Sequence, residues 1–277
     1  MLSNYLQTNS TKIRQKIETT NLQWNAFLKR LEEQEQLKQP DYHDEQVWTF
    51  LIMSWYADGS SDRIKKLAKI LTCNDNLVVG EDDKIWLEAL PIPPRMKEGN
   101  TNLDMAIGRI ARRPLGKGDP HSAPPGNGIQ YAGGKGYVCF CEMKWYSDID
   151  TKVTHDRHRN QLIRVIENAL AFRSCDNKFP DQLYVTLVTP QIFKDRDPMS
   201  RFYAYKFREY TKHRNIMIEE IKACSLKMRY ADEGEIVRRL KILKLNWVTY
   251  EDLMHHIEDD ELGSMIKKFH QDYCGYR

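Results

Sequence analysis

Apolar residues first recur at helical spacing along this chain and later gather in short continuous runs, and the change falls after Asn74. Residues 13–37 carry apolar positions three and four apart with Glu, Gln and Lys between them, which predicts an amphipathic helix ended by Pro40. Asp44 is placed to cap a second helix through Val47, Trp48, Phe50, Leu51, Met53, Trp55 and Tyr56, apolar on most sides and so expected to be buried. Asp58-Gly59-Ser60-Ser61 breaks it, and 62–71 reads as a third helix. Beyond Asn74, Leu77-Val78-Val79 and Ile85-Trp86-Leu87 are short β-type runs, and the Pro- and Gly-bearing 91–100 is loop. A strand follows over 103–110 with one acid, Asp104, near its start. After a polar stretch over 112–136, Tyr137-Val138-Cys139-Phe140-Cys141 has the continuous apolar character of a central strand and leads into Glu142-Met143-Lys144. A helix over 156–172, a buried strand over 182–188, helices over 201–224 and 233–243, a last strand over 245–250 and a helix over 251–257 come next. An acidic bend and a short helix close the chain. The expected class is α/β, in three segments: a helical N-terminal region 1–74, a core 75–257 and a C-terminal helical tail 258–277.

Composition narrows the function only a little. Hydrophobic content of 41% can fill a core, while a net charge of +3 permits nucleic-acid binding without requiring it. The six cysteines form no C-x-x-C pair, which argues against a zinc site or disulfide scaffold and fits a reducing cytoplasm. Cys139 and Cys141, two apart on a strand, are expected on one face as small buried hydrophobes. No apolar run approaches 18 residues and the first residues lack a charged-then-apolar order, so neither a membrane span nor a leader is expected. Gly133-Gly134-Lys135 lacks Walker spacing and runs into a strand rather than a helix, which argues against nucleotide binding there.

The chemistry concentrates at Glu142 and Lys144. An acid-x-Lys triplet alone is weak, since four others occur at Asp82/Lys84, Asp150/Lys152, Asp176/Lys178 and Glu220/Lys222. Those lie in expected helix, loop or turn. Glu142 and Lys144 end a core strand, where residues i and i+2 project together. Asp104 adds a second carboxylate if the strands 103–110 and 137–144 pair as a hairpin. The bland alternative for the pair is an exposed ion pair at a strand end. The polar segment between the two strands is bordered by Arg109, Arg112, Arg113, Lys117 and Lys135, and reads as a basic, substrate-contacting loop.

The order apolar-Asp, hairpin, apolar run, Glu-x-Lys resembles the PD-(D/E)xK, or restriction-endonuclease-like, nucleases over residues 77 to 254. Asn102-Leu103 stands where the family usually has a proline, and Gln161 is followed four residues on by Val165 rather than the Tyr of some relatives. The resemblance implies a mixed β-sheet flanked by helices and a Mg²⁺- or Mn²⁺-dependent endonuclease acting on DNA. It implies Asp104, Glu142 and the Met143 backbone carbonyl as metal ligands, with Glu88, or Glu45 as its rival, adding an upstream acid. Lys144 is implied to orient or deprotonate the attacking water, and Gln161 to position water or phosphate. Arg109, Arg112, Arg113, Lys135, Arg157 and Arg164 are the candidate nucleic-acid contacts. A helicase or ATPase partner in restriction or anti-phage defence, as in Hachiman-type systems, is part of the same expectation, with a homodimer left open. The alternative is a non-catalytic binding or assembly subunit that keeps the fold.

Overall fold

The apolar run beginning at Tyr137 forms an inner strand of a six-stranded mixed sheet in the computed structural model, which describes residues 1–37, 44–113, 128–149, 159–195, 201–229 and 233–273. Its strands are β1 (Ile17–Glu18), β2 (Lys84–Ala89), β3 (Leu103–Gly108), β6 (Tyr137–Met143), β7 (Gln182–Thr189) and β8 (Leu243–Thr249), in that spatial order. A separate two-stranded ribbon pairs β4 (Ile110–Arg112) with β5 (Ile129–Tyr131). Strand β3 runs antiparallel to both its neighbours, β2 and β6, whereas β6, β7 and β8 are parallel and linked by helical crossovers. Strand β6 is buried along its whole length, as its sequence demands.

Helices cover both faces. The helices Glu45–Asp58 and Ser61–Thr72 lie on one face with the N-terminal helices and the C-terminal helix Glu261–Tyr273. The helices Gln161–Ala171, Phe202–Lys212 and Arg214–Ala223 cover the other. The three segments separated in the sequence share a core. Leu2, Trp48 and Leu71 join Ile85, Met105 and Cys139 of the sheet, and Leu262 and Ile266 of the C-terminal helix, in one buried cluster. Cys139 and Cys141 sit side by side in it, their sulfurs 3.7 Å apart.

Several elements depart from the pattern, each for a local reason. The segment 13–37 is not one helix: Lys16 gives its carbonyl to Ile85 N–H, β1 adds to the sheet edge, and Thr20 opens the helix Asn21–Gln36 with a capping box. Leu77-Val78-Val79 makes no strand; Leu77 is buried but Val78 is 86% exposed. The 103–110 strand stops at Gly108, whose φ of 125° turns the chain into β4. The 201–224 helix breaks at His213, with φ −130° and ψ 74°. The 233–243 helix ends at Arg239, and Thr249 caps a helix over Tyr250–Met254 one residue earlier than expected. The helix expected from 156 is described from Gln161, with Asn160 as its cap; residues 150–158 lie outside the described set.

Candidate active site

Register places acids on three adjacent strands at one level. Leu87 pairs with Met105 and Ala89 with Leu103, so Glu88 stands opposite Asp104. Met105 pairs with Cys141, so the next step of the antiparallel ladder sets Asp104 opposite Glu142. The ladder is irregular here. Glu88 has a φ of 51°, a region non-glycine residues enter at a cost and which clusters at functional sites. Asp104 takes the place of a ladder acceptor, its Oδ2 receiving Met143 N–H at 2.8 Å.

Lys144 closes the arrangement. Its ammonium lies 2.7 Å from Glu142 Oε1, 3.3 Å from Glu45 Oε1 and 3.8 Å from Asp104 Oδ2, and donates to the Met143 carbonyl at 3.0 Å. Glu45 is the first residue of the helix Glu45–Asp58, which Asp44 caps. That N-terminus brings the Glu45 carboxylate against the chain just after β6, where it accepts from Trp145 N–H at 2.9 Å and Ser147 Oγ at 2.7 Å. Of the two rival upstream acids, Glu45 thus reaches Lys144. Glu88 accepts from Gln46 and Asn102 side chains, each at 3.2 Å, and lines a cleft with Glu45, Asp104 and Phe27.

Electrostatics explain what such a group needs. Glu142 is fully buried, and neither of its oxygens accepts a hydrogen bond of good geometry despite the nearby ammonium. Burial pushes its carboxyl above the usual range, more than Lys144 draws it down. Burial, and then the Glu142 charge, push Asp104 well above its ordinary value. Glu88 is raised by burial and by Glu142 and Glu45. Burial alone would lower Lys144, but Glu142, Asp104 and Glu45 outweigh it and hold the ammonium charged far beyond the usual lysine range. Three carboxylates around one ammonium, with Glu88 near them, leave an excess of negative charge that either protons or a cation must offset.

The donor chemistry, though not the arrangement, is that of a hard divalent cation. The donors are all oxygens, Glu142 offers unsatisfied buried acceptors, and Asp104 and Glu45 each keep 21% of their side-chain surface exposed. Among the described residues no three His, Cys, Asp or Glu side chains converge on one point as a closed metal site; the Lys144 ammonium stands between the carboxylates.

The remaining expected residues divide between the two ends of the sheet. Arg164, on the helix Gln161–Ala171, is near enough for its charge to favour ionised Glu142, and it binds Glu98 at 3.3 Å and the Gly99 carbonyl at 2.9 Å. Gln161 is the first residue of that helix and half-buried. Arg109 follows the far end of β3, five residues and so about 16 Å of extended strand from Asp104. It packs over Gly134 and Gly136 beside exposed Lys135, which precedes the start of β6. Arg112 pairs with Glu18 at 2.8 Å, and Arg113 donates its backbone N–H to Gly128. These four cations thus flank the end of the sheet opposite the acids, beside the segment that joins β3 to β6, because β3 carries the chain away from Asp104. Arg157 and Lys117 lie outside the described residues.

Sequence reasoning missed Trp145 and Ser147, which tie Glu45 in place. The only available signal was their position directly after the Glu-x-Lys triplet. No family model, no curated protein and no solved structure matches the chain.

Proposed function

We propose that this protein is a metal-dependent endonuclease of the restriction-endonuclease-like kind, hydrolysing phosphodiester bonds of DNA at Asp104, Glu142 and Lys144. The observation that carries the reading is the convergence of Asp104, Glu142 and Glu45 on the Lys144 ammonium at one end of a mixed sheet. Buried acids forced into mutual repulsion cost stability, and such arrangements concentrate where chemistry needs them.

Asp104, Glu142 and the Met143 carbonyl would hold Mg²⁺ or Mn²⁺, with Glu45 or Glu88 beside them. Such a cation supplies a water of lowered pKa and offsets charge on the phosphate. Lys144, an ammonium among these carboxylates, would orient the attacking water and stabilise charge developing on the phosphoryl oxygens. Glu45 anchors that ammonium and the backbone after β6. Arg164 and Gln161 are the side chains proposed to meet the phosphate. A helicase or ATPase partner in anti-phage defence remains part of the proposal on the sequence resemblance alone.

A second reading, a binding subunit that keeps the fold without catalysis, is favoured by the ammonium standing where the carboxylates meet. Incubation of plasmid, linear and single-stranded DNA with Mg²⁺ or Mn²⁺ separates the two. Cutting by the wild type that falls by about 10²–10³ in Lys144→Ala is expected. Cutting that survives the change rejects the site, and no cutting under any of these conditions favours the second reading.

A further inference from the structure

An open groove of about 460 Å³ lies beside β8 and the helix Phe202–Lys212. Trp247 and Phe207 line it with Lys194, Arg208 and Lys212, against one acid, Asp195. Among the described residues neither Arg208 nor Lys212 is in an ion pair, whereas neighbouring Lys206 is held by Glu209 at 2.7 Å and Glu220 at 2.6 Å. Three cations against one carboxylate leave the groove with net positive charge.

Register ties this groove to the acids. Glu142 pairs with Leu187 and Leu187 with Trp247, so Glu142 and Trp247 stand in one cross-strand row on the same sheet face. Two interstrand spacings separate them, about 10 Å. Buried Leu187 and Tyr203 fill the space between them, the Tyr203 ring 6.0 Å from that of Trp247.

We propose that the groove binds an unpaired DNA strand beside the acid–lysine site, with phosphates against Lys194, Arg208 and Lys212 and a base stacked on Trp247. Cations beside an aromatic face are the chemistry that holds single strands without reading their sequence. A groove of this volume takes one base, with the flanking phosphates along its rim. The choice of DNA rests on the nuclease reading; the groove's affinity for a strand does not depend on catalysis.

The test is fluorescence anisotropy of the full chain in EDTA with labelled oligothymidylate, oligouridylate and a blunt duplex. The wild type is expected to bind oligothymidylate best. Arg208→Gln/Lys212→Gln, at two exposed positions, should weaken that binding about 5-fold or more and flatten its salt dependence by about 1.4 in log–log slope, about 0.7 for each phosphate released. No binding of oligothymidylate, equal binding of the duplex, or an unchanged double variant overturns the groove. Preference for oligouridylate overturns DNA as its occupant. EDTA removes hydrolysis from the readout, so a chain that binds this way yet never cuts DNA rejects the nuclease reading and leaves the groove standing.

Discussion

Asp104, half-buried, and fully buried Glu142 face each other on adjacent strands, and desolvation and their mutual repulsion make the folded chain hold their protons more firmly than the unfolded chain does. The sign follows directly. A carboxyl whose folded pKa is raised contributes stability below its unfolded value, and that contribution is lost as pH rises through the folded value. Asp104→Asn removes one of the two charges and keeps an oxygen to accept Met143 N–H. In EDTA the variant should melt above the wild type by a margin that widens from about pH 4 towards neutrality, each kcal/mol showing as about 2–4 °C. A margin that shrinks with rising pH would contradict the arrangement. At this scale the sequence was informative where geometry is local: Glu142 and Lys144 are two apart on one strand, and a short-range rule places them together. Asp104 needed only a hairpin partner. Glu45 was legible as an acid but not as a neighbour of Lys144, because 99 residues separate them and only packing of the helix onto the sheet joins them.

Elements depend on backbone conditions that single residues satisfy. Gly108 ends β3 at a φ of 125°, and a Cβ there would stand 2.4 Å from the Tyr137 carbonyl oxygen. Gly108→Ala should therefore cost more than about 1 kcal/mol in urea unfolding, while Gly99→Ala, with nothing within 4 Å, should stay within about 0.5. Equal effects would mean that the strand does not end as described. Asp148 accepts from the first two backbone N–H groups of the helix Phe202–Lys212, at 2.7 and 3.1 Å. Asp148→Ala should lose about 1 kcal/mol and Asp148→Asn less, since an amide oxygen still accepts. The inner strands and the buried helix Glu45–Asp58 follow from the hydrophobic pattern, whose runs are long and bounded by Pro, Gly or Asp. The breaks were hidden. His213 interrupts two stretches of equal helical character, and β1 is too short for any periodicity; it exists because the edge of β2 offers it hydrogen bonds.

The whole molecule is tied together by a core and by buried charge. Arg95 and Glu167 are fully buried and pair at 2.7 Å; Arg159 bonds Glu167 and reaches Glu98 at 3.1 Å, and Arg164 joins Glu98. This chain of ions fastens the segment before β3 to the helix that faces Glu142. Glu167→Gln leaves two buried guanidinium groups short of charge, and a loss of about 3–5 kcal/mol by urea unfolding is expected; a loss below 1 would show the network to be dispensable. Such long-range pairing is invisible to local pattern, as is the sharing of one core by residues 1–74, the sheet and the C-terminal helix. The most direct measurement on the molecule as a whole is titration of the metal-free chain with Mn²⁺ by electron paramagnetic resonance, comparing the wild type with Glu142→Gln. Binding by the wild type that is lost or weakened at least about tenfold in the variant is expected if the carboxylates exist to hold a cation. A wild type that binds no Mn²⁺, or a variant that binds it equally well, would contradict a metal-dependent centre at Asp104 and Glu142.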